Sequence, residues 1–200
     1  MEQPRSFEEM YAAAGDDLAA LPWASLKPFP LLVEWLDGKG AGVSGAALVI
    51  GTGLGDDAEE LSRRGFEVTA FDLSPTAIER ARGRFPESSV DYRVADLLDL
   101  PAAWRECFDL VVEIRTLQSL PIGDRAAAAT AIAATVAPGG LLWLFALGRD
   151  SHRRGETRPW PVTSDELSVL EAAGLKWESR REDLLDADLY DVVGTLRRPG

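Results

Sequence analysis

An apolar run that breaks into alternating glycines constrains this chain more than any other feature. Residues 46–57 read AALVIGTGLGDD: five residues without a polar side chain, then Gly51, Gly53 and Gly55, then Asp56 and Asp57. A continuous apolar run of that length suits a parallel strand covered on both faces. Glycines at this spacing let the backbone turn sharply, and let a ligand or another segment approach it closely. On this stretch alone, a tight structural turn and a ligand cradle both stand.

The alternation of strand and helix continues. DAEELSRRG reads as a short helix closed by Gly65, and FEVTAFD as a second strand. Ser74 and Pro75 start the next helix, because serine can cap free amides and proline suits a first helical turn. VDYRVAD and FDLVVEI are the third and fourth strands. RAAAATAIAATVA is an alanine-rich helix that Pro138 should stop, and LLWLFAL is the fifth strand. Thr163 and Glu166 have capping-box spacing ahead of ELSVLEAAG. LKWESRRED and LYDVVGTLRR are separated by a short acidic loop that cannot hold a crossover helix, so they should pair antiparallel. The predicted class is α/β, a three-layer sandwich with a mostly parallel seven-stranded sheet and an antiparallel C-terminal hairpin.

Residues 1–44 follow another pattern. Phe7, Met10, Tyr11 and Ala14 form a helical apolar stripe, followed by a stretch punctuated by Pro22, Pro28 and Pro30. This segment is too small for a core of its own and reads as an N-terminal helical cap. Residues 45–200 form the main domain, in one structural unit with the cap.

Bulk properties narrow the partners. A net charge of −12 argues against a nucleic-acid surface, which needs clustered cations. The one basic cluster, Arg149, His152, Arg153, Arg154 and Arg158, reads as a solvated loop. One cysteine, Cys107, and one histidine, His152, leave no disulfide framework and no Cys/His metal centre. Cys107 reads as a packed thiol rather than a reactive one. No apolar run has the length of a membrane span, and the acidic N-terminus is not a secretory signal. The expected compartment is the cytoplasm, and the expected state a monomer or homodimer.

In an open parallel sheet, ligands gather beyond the carboxyl ends of the strands, where strand order reverses. After the first strand come Gly51, Thr52, Gly53 and Gly55; after the second, Asp72 and Leu73; after the third, Asp96 and Leu97; after the fourth, Glu113. A carboxylate at Asp72 can accept both hydroxyls of a ribose. A dinucleotide fingerprint needs glycine at its sixth position, and here that position is Asp56. Acid beside a diphosphate is repelled, whereas S-adenosylmethionine, with its sulfonium and amino group, escapes that penalty.

These residues carry a resemblance. LVIGTGLGDDAEELSRRGFEVTAFDLSPTAIERAR, VADLLDLP, FDLVVEIRTLQSLP and VAPGGLLWL resemble the successive motifs of class I S-adenosylmethionine-dependent methyltransferases, over about residues 46–147. Within that class the chain is most similar to the thiopurine and tellurite-resistance type, small enzymes acting on small molecules. The resemblance implies a Rossmann-like sandwich, S-adenosylmethionine as cofactor and a small-molecule methyl acceptor such as a thiol or hydroxyl. It implies that Gly51, Thr52, Gly53 and Gly55 line the methionine part, that Asp72 holds the ribose and that Leu73 lies against adenine. Asp96 would accept from the adenine amino group, with the Leu97 amide toward the ring and Glu113 facing the methionyl or methyl end.

Two departures matter. Many relatives have an acid two places before the first motif glycine, where this chain has Val49, which leaves Asp56, Asp57 or Glu113 to meet the cofactor's amino group. The frequent Asp-Arg pair after the fourth strand becomes Glu113-Ile114-Arg115. Candidate bases are Glu113 and His152, and candidate acceptor contacts are Tyr11, Trp23, Arg115 and Trp160. Two alternatives remain: an adenosine-cofactor-binding regulatory or accessory protein without efficient catalysis, and a nicotinamide oxidoreductase.

Overall fold

A computed structural model describes residues 6–15, 17–149 and 160–200. Seven strands form one sheet: β1 (Ala46–Ile50), β2 (Glu67–Asp72), β3 (Asp91–Val94), β4 (Phe108–Ile114), β5 (Val136–Arg149), β6 (Lys176–Asp186) and β7 (Leu189–Arg197). Their order is β3-β2-β1-β4-β5-β7-β6. The pairs from β3 through β5 are parallel, while β7 runs antiparallel to both β5 and β6. This is the predicted mostly parallel sheet with its antiparallel hairpin. Strand order reverses between β1 and β4, so the crevice beyond their carboxyl ends is the switch point.

Among the described residues six α-helices surround the sheet: α1 (Phe7–Ala14), α2 (Pro30–Asp37), α3 (Asp56–Arg63), α4 (Pro75–Arg84), α5 (Arg125–Thr135) and α6 (Ser164–Ala172). Alternation along each strand sorts the core into two layers. Leu48, Ile50, Val111, Leu142 and Leu144 face α5 and α6, meeting Ala128, Ala129, Ile132, Leu167 and Leu170. Ala47, Val49, Leu110, Val112 and Trp143 face the other way, meeting Leu32, Leu36, Ala58, Leu61 and Ile78 from α2, α3 and α4. A third, smaller cluster joins Tyr11 and Leu21 to Leu54 and Ala77, which seats α1 against the glycine turn and the start of α4.

Local chemistry accounts for the helix starts. Ser6 and Glu9 form a capping box on α1, as Thr163 and Glu166 do on α6. The Ser74 hydroxyl accepts from the Ala77 amide, and Pro75 occupies the first turn of α4. One boundary differs from expectation. The alanine-rich helix ends at Thr135, before Pro138, because Val136 already pairs with Phe108 of β4. Pro138 and Gly139 lie inside β5 at a bulge opposite Phe108 and Leu110, and Gly139 takes a φ of 79° there. Among the described residues no helix is long and apolar enough to cross a membrane, and no group of three acids, histidines or cysteines could hold a metal.

Candidate cofactor site

The glycine turn closes β1 with a φ of 60° at Gly51, 55° at Gly53 and 90° at Gly55, a region that L side chains rarely adopt. Protein atoms crowd two of these positions. A Cβ on Gly51 would lie 2.5 Å from the Thr116 Oγ1, and one on Gly55 would run into the Tyr92 hydroxyl. The glycines therefore serve the turn's own packing as well as any ligand. Three of its amides are also committed: Thr52 donates to the Phe71 carbonyl, Gly53 to Asp72, and Gly55 to the Thr52 carbonyl. The Thr52 Oγ1 is buried without a hydrogen-bond partner among the described residues. Gly55→Ala should cost about 1–3 kcal/mol of stability, read by urea denaturation. An unchanged midpoint would show that the turn adapts.

Asp72 ends β2 beside this turn. One carboxylate oxygen accepts from the Gly53 amide and the other from the Ser74 amide, each at 2.9 Å. Burial pushes the carboxyl above its ordinary range, and the backbone donors pull it back only in part. Leu73, the next residue, is 67% exposed, an uncovered apolar side chain where a flat ring could rest. Asp96 is exposed after β3 and accepts from the Leu98 amide through one oxygen; Leu97 is buried beneath it. Gly51 to Gly55, Asp72, Leu73, Asp96 and Leu97 thus follow β1, β2 and β3 along one edge. An acid fixed by backbone amides, an open apolar side chain and a free acid oxygen match the ribose and adenine of a nucleoside.

α1 completes one wall. The buried Tyr11 hydroxyl accepts from the Trp23 indole at 3.0 Å, and a Cβ at Gly53 would sit 3.0 Å from that hydroxyl. Burial and the nearby Asp72 push the Tyr11 phenol up. Phe7 packs edge-on against Trp23 at 5.2 Å. Glu8 reaches from α1 to the hydroxyls of Ser74 and Thr76, and these hydrogen bonds hold its carboxyl below the usual range.

Three acids do other work than expected. Asp56 makes a two-pronged ion pair with Arg84 at 2.7 Å, and Asp57 accepts from the Phe29 amide. Burial pushes Asp57 up to about 6. Neither acid is left to favour a cationic guest, so the charge argument drawn from them does not hold. Glu113 is wholly buried on the α5 side of the sheet, in register with Ile50 and Leu144. Its Oε1 accepts from the Thr116 and Leu117 amides, which makes it the cap of the turn after β4 rather than an arm toward a methyl group. Cys107 is exposed rather than packed, because it precedes β4 at the far end of that strand.

The acceptor candidates separate. Arg115 is exposed at the end of β4, stacked on Phe29 and Phe145. The Trp160 backbone amide donates to the Gln118 carbonyl. His152, with Arg153, Arg154 and Arg158, lies outside the described residues. The residue that sequence reasoning missed is Arg125, the buried first residue of α5, which binds the Gln118, Leu120, Trp160 and Pro161 carbonyls and pairs with Glu166. A cation at a helix N-terminus runs against the dipole, and that misfit was the available signal.

Residues 47–140 match a family model described as a methyltransferase domain. A ubiquinone biosynthesis O-methyltransferase of Xanthomonas axonopodis pv. citri (strain 306) is 35% identical over 122 residues, covering 60% of this chain and 50% of that protein. The chain thus spans about half the length of the curated relatives it matches. A solved structure described as "Conversion of a Disulfide Bond into a Thioacetal Group during Echinomycin Biosynthesis" is 28% identical, with a TM-score of 0.71 over 89% of this chain and 84% of that one. N-methyltransferase NodS from Bradyrhizobium japonicum WM9, in complex with S-adenosyl-L-homocysteine, superposes with a TM-score of 0.73 at 24% identity, over 96% of this chain and 98% of its own. Residues 47–140 thus match a methyltransferase domain, and the chain has the seven-stranded Rossmann-like fold that this solved methyltransferase also has.

Proposed function

We propose that the protein transfers a methyl group from S-adenosylmethionine to a small-molecule acceptor. The observation that carries this reading is Asp72, which its two amide donors aim beside the glycine turn, within a segment that matches a methyltransferase domain. Bound there, S-adenosylmethionine supplies a methyl on a sulfonium, open to in-line displacement by a nucleophile. Asp72 would take the ribose hydroxyls, and hydrogen bonds of that kind favour its charged form against the burial that opposes it. Leu73 would cover one face of the adenine, Asp96 would accept its amino group, and Leu97 would support the ring from below. Gly51, Thr52, Gly53 and Gly55 would line the methionine part with their backbone, with the Thr52 and Tyr11 hydroxyls beside it.

Alignment and exclusion of water are the protein's main tasks in such a displacement. Within the N-terminal segment, α1 and the stretch to Trp23 would cover the site, Tyr11 and Trp23 forming its inner wall, while α2 packs on the face of the sheet. The motif likeness to the thiopurine and tellurite-resistance type supports a small acceptor, and the ubiquinone O-methyltransferase relatives support a hydroxyl beside the thiol option. Glu113, enclosed and holding two amides, is a poor base. A thiol, which reacts as its thiolate, would need none.

Calorimetric titration should show S-adenosylhomocysteine binding and no comparable affinity for NADPH. Transfer of labelled methyl to a panel of thiols, phenols and amines then separates an enzyme from a regulatory binder. Asp72→Ala should weaken S-adenosylhomocysteine binding by about 1–3 kcal/mol, with Asp72→Asn intermediate. Unchanged affinity in both variants would remove Asp72 from the site.

A further inference from the structure

We infer that Arg115 reads a carboxylate on the methyl acceptor, an assignment that rests on the methyltransferase reading above. Arg115 leaves β4 one residue before Thr116, whose hydroxyl donates to the Ile50 carbonyl and packs on Gly51. It therefore stands beside the glycine turn, at the carboxyl edge where an acceptor must enter.

Its backbone has a φ of 61°, a left-handed conformation that costs about 1–3 kcal/mol in a residue other than glycine. The Arg115 amide holds that conformation by donating to the Phe145 carbonyl at 2.8 Å. The guanidinium lies 5.0 Å from the Phe145 ring centre and 5.9 Å from that of Phe29. Attraction to the ring faces restrains the guanidinium and leaves its N–H edges to other partners. The side chain is exposed, and the ion pairs among the described residues, such as Arg149 with Asp188, do not include it. A restrained guanidinium with open edges matches a carboxylate through two parallel hydrogen bonds.

The acid that senses Arg115 is Asp191 on β7. Burial raises its carboxyl, Arg115 lowers it, and Asp183, its register partner on β6, raises it again. One Asp191 oxygen is buried with no hydrogen-bond partner among the described residues. Asp191 thus partly balances Arg115 without closing on it, and an acceptor carboxylate has to compete with that balance.

The test titrates the protein, saturated with S-adenosylhomocysteine, with mercaptobenzoate and with its carboxamide. The wild-type protein should prefer the carboxylate by about tenfold or more. Arg115→Met, which keeps an apolar stem over the rings, should bring the two affinities together. Arg115→Lys should retain part of the preference, and Asp191→Asn should increase it. Affinity for S-adenosylhomocysteine should stay unchanged throughout. Equal affinities in the wild type, binding of neither probe, or an intact preference in Arg115→Met overturns the assignment. Failure of S-adenosylhomocysteine itself to bind the wild type strikes the underlying methyltransferase reading, and the inference with it.

Discussion

Arg125→Met should lower the unfolding free energy by about 3–5 kcal/mol, the range found when one partner of a buried ion pair is removed. For a chain of 200 residues that corresponds to a fall of roughly 10 °C in Tm. Arg125 is 2% exposed and gives its donors to four carbonyls and one acid. The shortest of these hydrogen bonds, 2.6 Å to the Trp160 carbonyl, holds the segment that leads into α6. Those to Gln118 and Leu120 hold the turn after β4, and Gln118 in turn accepts from the Leu147 amide of β5 at 2.6 Å. Arg125 therefore joins the chain leaving β4 to the chain entering α6. Methionine fills most of the volume and satisfies none of the carbonyls, each of which carries its own desolvation cost. Glu166→Gln should be milder, because the glutamine oxygen can still accept from Arg125 and from the Thr163 amide, and Arg125 keeps its four carbonyls. Hydrogen exchange should place the loss in residues 117–120 and 160–163. A uniform loss of protection, or a shift below about 1 kcal/mol, would reduce Arg125 to ordinary packing.

The sheet was legible in the sequence because its signals are local. Apolar runs gave β1 and β4, the Ser74-Pro75 pair gave the start of α4, and a loop too short for a crossover gave the antiparallel end. The positions of Asp72, Leu73 and Asp96 followed from strand ends alone. Side-chain partners did not follow, because they depend on which distant segments meet. Asp56 looked available until Arg84, 28 positions on, closed on it. Glu113 looked like a residue of the site, since a strand end points to the crevice, but period-two alternation put its side chain on the α5 face. The end of α5 was misplaced because β4, rather than Pro138, decides where pairing begins. Arg125 sat in an alanine-rich helix where composition gave it no apparent function.

Glu113 makes the stability of the fold depend on pH, in a direction set by its burial. Burial raises its carboxyl from 4.5 to about 7, against the opposing pull of the Leu117 and Thr116 amides. Its Oε2 is buried with no hydrogen-bond partner among the described residues, so nothing there repays the loss of water. Between these two values the unfolded chain has released the proton and the folded chain keeps it. Stability must then fall as pH rises, by about 1.4 kcal/mol per unit and about 3 kcal/mol across the window. Asp57, raised to about 6, adds to the same slope. Glu8 and Glu60, held low by hydrogen bonds to Ser74 and Arg63, act in the opposite sense, and only as pH falls through the ordinary carboxylate range and below. Thermal unfolding from about pH 5 to about pH 8 should therefore show a declining Tm. Glu113→Gln should flatten that decline, because the amide oxygen can still accept from Thr116 and Leu117 while no proton is exchanged. The cradle should register the same event, since Thr116 links the Glu113 carboxylate to the Ile50 carbonyl and the back of Gly51. A difference in Tm between wild type and Glu113→Gln that stays constant with pH would mean that the carboxyl does not titrate in this window and that burial alone does not govern it.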